Sequence, residues 1–364
     1  MFSLVSLPFL AGFIIFSVAL FTGEDVAVSK ILVTESLQSK GYDDTVLTRS
    51  IHDNLREISD SAASSLVSLD REPSRVQQSL QEVHQGWMVE IQQLVAASRR
   101  LLGLTPFLVN GEVVEEGEEL VVTLRVFSQA SNAGQCTVRK RGTDIDGLMR
   151  EASLEASECI NPYVVALYHR RIEEANARWD FPETKRVADV FLKTQPADDD
   201  YLINSLIGRM HMIKAERDSD LTPEQKEAEY DRAIELLNGA LLQNPDFAIP
   251  YLNLAVIHQV RGKTSEAEKY FRQAAQTDPS SRLIRVLWSD FLYAQGRLDE
   301  AVVQFVAAVE IEKHNPALRN RLGQLYVEMG RKDLASKQFK MAMRMDPRDR
   351  NYLSNWRDSV AVGQ

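Results

Sequence analysis

The chain has 364 residues, 44% hydrophobic and 26% charged, the balance of a folded protein with two or three units. Its net charge of −10 is uneven, because from Lys313 onward 11 Lys/Arg face 5 Asp/Glu and the rest is strongly acidic. That balance is poorly suited to a polyanionic backbone, so no nucleic-acid partner is expected.

Residues Met1 to Thr22 contain no charged side chain and are dominated by Phe, Leu, Ile and Val. As a helix they would rise about 33 Å, enough for a hydrocarbon core of about 30 Å. A cleaved signal peptide wants a basic start, and no Lys or Arg precedes the apolar run, although Ala27-Val28-Ser29 has the small-x-small form of a cleavage site. A buried soluble helix is the third alternative. The reading taken is an uncleaved transmembrane signal anchor over residues 1–23, contacting the membrane through residues 1–22. Glu24 and Asp25 directly after it favour translocation of the large carboxy-terminal part. The expected address is therefore a single-pass membrane protein, in a bacterium an inner-membrane one with its body in the periplasm.

Residues 24–160 read as a small α+β domain. Lys30 to Thr34 form a short strand, Gly41 breaks it, and Asp44 or Thr45 can cap a helix carrying Leu47, Ile51, Leu55 and Ile58 on one face. The polar run Ser59–Ser74 reads as that helix's end and a loop. A second helix over about Val83–Leu102 has Trp87, Ile91 and Leu94 on one stripe. Phe107-Leu108-Val109 then leads as a strand into Asn110-Gly111. Leu120, Val122, Leu124 and Val126 alternate with Val121, Thr123 and Arg125, the period of a half-buried strand. Cys136 and Val138 continue a third strand, and Asp144–Ile160 returns to helix. The glutamates at 112, 115, 116, 118 and 119 surround the hairpin turn without a calcium-loop pattern, so a solvated turn is expected rather than a metal site. The hairpin and the element order look like the small domain at the front of the translocation protein TolB and of repeat proteins associated with adenylate cyclases. That likeness implies a protein-contact module without catalytic residues.

Two cysteines, Cys136 and Cys159, belong to no Cys-x-x-Cys pair. In an exported body they could form a disulfide between the third strand and the last helix; otherwise they are two buried thiols.

Residues 161–364 are helical throughout. Two degenerate pairs over 161–247 precede three regular copies at about 248–281, 282–315 and 316–349, with a cap at 350–364. The copies recur every 34 residues: Leu254-Ala255, Gly262, Ala267, Phe271, Ala274, Pro279; then Trp288-Ser289, Gly296, Ala301, Phe305, Ala308; then Leu322-Gly323, Gly330, Ala335, Phe339, Ala342, Pro347. This spacing resembles that of the tetratricopeptide repeat (TPR), and the chain resembles a bacterial membrane-anchored TPR protein. The resemblance implies a mostly α fold, with a TPR α-solenoid behind the α+β domain and the one transmembrane helix. It also implies a concave groove lined by Ile249, Leu252, Val256 and Gln259 in one copy. Leu283, Val286, Asp290 and Tyr293 follow in the next, then Asn320, Gln324 and Val327. The Lys, Arg and Asn with which some family members clamp a terminal carboxylate are missing. The lining suits a protein or peptide partner presenting several apolar side chains.

No phosphate-cradling loop, zinc-protease motif or nucleophile elbow occurs, and the six histidines are scattered. No catalytic, cofactor-binding or metal-binding residue is therefore assigned, and no enzyme is expected. Two functions remain: a membrane-anchored scaffold that gathers partners in an envelope assembly, or a regulatory subunit whose α+β domain senses a ligand and signals through the array. Partner identity and oligomeric state are not legible in the sequence.

Overall fold

The computed structural model describes residues 26–67, 107–128 and 136–361. The expected anchor and the helix around Trp87 lie outside the described residues. Among the described residues no helix is long and apolar enough to cross a membrane. The chain forms two compact units: most residues up to 172, together with 183–191, group with the first, and most of the remainder with the second.

The first unit holds a four-stranded sheet in the order β1-β2-β3-β4. These strands are Val26–Val33, Phe107–Glu116, Glu119–Ser128 and Cys136–Gly142. β1 runs parallel to β2, with an irregularity between Val28 and Ile31, whereas β2–β3 and β3–β4 are antiparallel. A short helix α1 (Glu35–Ser39) and a long helix α2 (Asp44–Val67) follow β1, and α3 (Ile145–Ile160) follows β4. Val109, Val113, Val122, Leu124, Val126 and Val138 turn one face of the sheet toward Leu47, Ile51, Met149, Ala152 and Ala156, forming one apolar core. The alternation in β3 points Val122, Leu124 and Val126 at the helices, but Val121 and Thr123 on the other face are buried as well, so the strand is covered on both faces there rather than half-buried.

Two details of α2 differ from the sequence expectation, each for a local reason. The cap of α2 is Asp43, whose Oδ1 accepts from Val46 N at 2.8 Å, one residue before the expected position. That helix also runs past Ser59 to Val67, since Ile58 and Ala62 prolong its buried stripe. Strand β2 passes straight through Asn110-Gly111. Gly111 is required because a Cβ there would lie 2.3 Å from Thr123 O and 2.7 Å from Leu124 Cδ2. The turn itself is at Gly117, with φ of 71°. The glutamates around it are largely matched to cations. Glu112 pairs with Arg125 at 2.7 Å, Glu115 with Lys40 at 2.7 Å, and Glu116 with Arg139 at 2.6 Å and with Arg141.

Helices α4 (Pro162–Ala175) and α5 (Pro182–Thr194) come next. Residues 162–172 and 183–191 of this pair cluster with the sheet unit, although the sequence places the pair at the head of the array.

The second unit is built of helix pairs: α6 (Asp200–Arg217) with α7 (Pro223–Gln243), α8 (Ala248–Val260) with α9 (Thr264–Thr277), α10 (Arg282–Ala294) with α11 (Leu298–Ile311), and α12 (Pro316–Glu328) with α13 (Lys332–Met345). A last helix α14 (Arg350–Ala361) closes it. Gly262, Gly296 and Gly330 end the first helices at φ of 69°, 72° and 70°, where an L side chain would be strained. Within each pair the helices approach where one residue stays small. Ala255 is fully buried there, Ser289 Oγ donates to Ala301 O at 2.8 Å, and a Cβ on Gly323 would lie 2.5 Å from Phe339 Cε1. Between pairs, arginines form a ladder: Arg261 to Asp231 at 2.7 Å, Arg297 to Glu268 at 2.6 Å and Arg331 to Asp299 at 2.7 Å.

The α6–α7 pair is longer than the others, 18 and 21 residues against 13 and 14 in α8 and α9. Thr222 and Gln225 cap α7 reciprocally. His211 Nδ1 lies 2.5 Å from Glu229 Oε2, and Lys214 Nζ 3.3 Å from its other oxygen. Burial works against the charge of Glu229, but the hydrogen bonds from His211 and Lys214 outweigh it and hold the carboxyl below its ordinary range. A depressed carboxyl adds stability above its ordinary value of 4.5, and that stability is lost as pH falls through the folded value. Glu229→Gln should therefore lower the melting midpoint at neutral pH, with the gap to the parent closing in acid. Midpoints measured across the acid range check this, and a constant gap would contradict it.

Candidate peptide-binding groove

The first helices of successive pairs lie side by side. Arg321 Nη2 of α12 meets Asp290 Oδ1 of α10 at 3.3 Å, and the Glu328 carboxylate of α12 raises the pKa of Tyr293 on α10. Asn355 Nδ2 of α14 donates to Asn320 Oδ1 at 2.8 Å, so the last helix continues the same row. The surface of this row holds the residues that the sequence assigned to the groove.

They are not equally available. Leu252 is 2% exposed and packs with Ala255, Ala267 and Phe271 in the core, so it offers nothing to a ligand. Sequence periodicity could not separate it from its neighbours, because a groove position and a position facing the adjoining pair differ by less than one helical step. Val286 and Tyr293 are partly buried against the cluster of Val302, Phe305, Leu318 and Leu322. Asp290, Tyr293 and Asn320 are already engaged as described. What remains open is Ile249 and Val256, both half-buried, and the outer side of Leu283, whose inner side packs on the core around Phe271 and Ile284, with Gln259, Gln324 and Val327 exposed.

Val260, 54% exposed beside Gln259, was not singled out in the sequence and faces α6 and α7. Next to it the longer α6–α7 pair walls a cavity of about 450 Å³, lined by Ala215, Glu216, Lys226, Glu227 and Tyr230 among others. Arg261 extends over the Tyr230 ring at 5.6 Å and pairs with Glu227 at 2.8 Å. His258 stacks on Tyr270 with centroids 5.2 Å apart, and burial lowers its pKa, with Lys263 adding to the effect. Among the described residues no group of His, Cys, Asp and Glu is placed to hold a metal ion.

In chemical terms the row offers methyl-rich, half-buried recesses and side-chain amides. Arg321, its cation, is already held by Asp290. The chemistry of such a surface matches apolar side chains and backbone amides.

The tetratricopeptide-repeat family model matches residues 225–288 and 292–354. Those residues are TPR repeats. The matched residues begin in α7, so the longer pair contributes its second helix to the TPR register. No curated protein matches the chain. Among solved structures, a thermophilic TPR protein of Thermus thermophilus is 18% identical, with a TM-score of 0.38, over 56% of this chain and 98% of that one. PilF of Pseudomonas aeruginosa is 18% identical, with a TM-score of 0.36, over 46% and 71%. YrrB, described as a TPR protein with an unusual peptide-binding site, is 16% identical, with a TM-score of 0.34, over 56% and 95%. TPR proteins mediate protein–protein interactions.

Proposed function

We propose that this chain is a membrane-tethered scaffold whose TPR array holds a partner segment presenting apolar side chains. The observation that carries the reading is the open half-buried row Ile249, Val256 and Leu283, with Val327 exposed, in a groove whose arginine is already neutralised. A peptide laid along such a row buries several side chains at once, while Gln259 and Gln324 satisfy its backbone. The uncharged residues 1–22 support a membrane anchor, and the bond between Cys136 and Cys159 supports an oxidising compartment such as the bacterial periplasm. Partners are then proteins of the envelope, brought together at the membrane by the tether.

The test is selection of binding peptides from a random displayed library on the full chain in nonionic detergent, followed by Val256→Glu and Leu283→Glu. Selected peptides should share spaced apolar residues and lose about tenfold or more in affinity on either substitution, in line with about 1.4 kcal/mol or more per desolvated contact. Peptides that bind both variants as well as the parent would place the site elsewhere. A periplasm-active reporter fused after Gln364 tests the compartment, and its inactivity would remove the envelope reading.

A further inference from the structure

The charge of the second unit is graded along its length. Residues 197–246, which hold the α6–α7 pair, contain 12 Asp/Glu against 5 Lys/Arg. Residues 247–312 contain 8 against 7, and residues 313–364 contain 5 against 11. One end of the array is therefore acidic and the other basic, with a nearly neutral middle.

At each end the charge lies on the outward face of a second helix. On α7 the buried residues are Tyr230, Ala233, Leu237 and Ala240. Opposite them, at helical spacing, stand Glu224, Asp231 and Glu235, all exposed, and Leu242, which is 88% exposed. Only part of that charge is neutralised internally, Asp231 by Arg261 and Glu235 by Arg232. On α13 the buried residues are Ala335, Phe339 and Ala342. Opposite them stand Lys337, Lys340 and Arg344, exposed and, among the described residues, in no ion pair, with Asp333 the single acid on the same face, at its amino-terminal end. Leu334 and Met345, 42% and 36% exposed, flank this basic stripe.

We propose that the α13 face docks on the α7 face of a second copy of this chain. The acids on α7 stand seven and four residues apart and the cations on α13 three and four, so Asp231 and Glu235 share one helical step with Lys340 and Arg344, and each chain carries both stripes. An antiparallel pair related by a two-fold axis then satisfies both contacts at once and closes, without growing into a filament. The apolar residues at the margins, Leu242 on one stripe and Leu334 and Met345 on the other, are those that such a contact would cover. An anionic lipid surface is the competing occupant of the basic face. It is disfavoured because residues 1–312, at −16, would be repelled by the surface that attracts the last 52 residues, at +6.

The experiment is sedimentation of the full chain in density-matched nonionic detergent at low and high salt, where screening shortens the reach of charge from about 30 Å to about 3 Å. The parent should be dimeric at low salt and at least tenfold weaker in association at high salt. The triple variant K337E/K340E/R344E should be monomeric at low salt, as should E224K/D231K/E235K. Mixed together, the two variants should form a heterodimer, a rescue that misfolded chains could not give. A parent of the same mass at both salts, a triple variant that still dimerises, or a mixture without heterodimer would overturn the proposal. So would low-salt binding to phosphatidylglycerol vesicles, lost in the basic-stripe variant, with no self-association of the parent.

Discussion

Phe305→Ala should destabilise the array by about 3–5 kcal/mol, the range for removing a large aromatic side chain from a packed interior. Phe305 is 1% exposed on α11 and packs with Val302 and Val309 of its own helix and with Leu318, Leu322 and Leu325 of α12. It therefore belongs to the seam between the third and fourth helix pairs as much as to its own pair. In a stacked array stability is close to a sum of pair terms and nearest-neighbour seams. The expected consequence is not only a lower denaturation midpoint but a separate, earlier transition for α12 to α14, whose one covered side would be lost. Val303→Ala, two residues away and 64% exposed, is the control and should change stability by about 0.5 kcal/mol or less. Denaturation followed by far-ultraviolet circular dichroism checks both, and a single unshifted transition in the Phe305 variant would contradict the packing described.

The contrast between these two positions shows what the sequence made legible. The array was readable because its constraints repeat. Ala267, Ala301 and Ala335 are fully buried, Phe271, Phe305 and Phe339 nearly so, and Gly262, Gly296 and Gly330 all take positive φ. One accident of composition cannot mimic the same steric demand met three times. The groove was less legible, because the register says which side of a helix faces the row but not how much neighbouring helices cover. Leu252 and Ile249 share a stripe, yet one is core and the other half-open. Engagement by partners distant in sequence, such as Asn320 with Asn355 or Asp290 with Arg321, was invisible for the same reason.

In the sheet unit the period-two alternation of β3 was enough to orient its core face. The need for Gly111 was not legible, because a glycine signals either a turn or a close approach, and only the neighbouring strand at Thr123 and Leu124 decides which. The charge grade that motivates the dimer was partly visible as a basic end. Its acidic counterpart became a surface only once α7 had turned Glu224, Asp231 and Glu235 outward together.

Removing the Cys136–Cys159 bond should cost the sheet unit about 2–5 kcal/mol, the second large effect expected of this chain. The two residues are 23 apart in sequence and their Cα atoms lie 6.3 Å apart, joining β4 to α3. The bridge closes a loop that contains β4 and α3, so in the unfolded chain it removes conformations the reduced chain would regain. Both half-cystines also pack at the edge of the core formed by Val126, Val138 and Ala156. A Cys136→Ala/Cys159→Ala double variant loses the link and some of that packing, whereas reduction of the parent loses the link alone. Denaturation of the oxidised chain, the reduced chain and the double variant separates the two contributions. The reduced chain and the double variant should both fall below the oxidised parent, the variant by slightly more. The array transition should stay in place in all three, because the bridge lies wholly within the first unit. A thiol count of two on denatured, unreduced protein isolated from its native compartment would show the bond unformed there, and with it would go the case for an oxidising address.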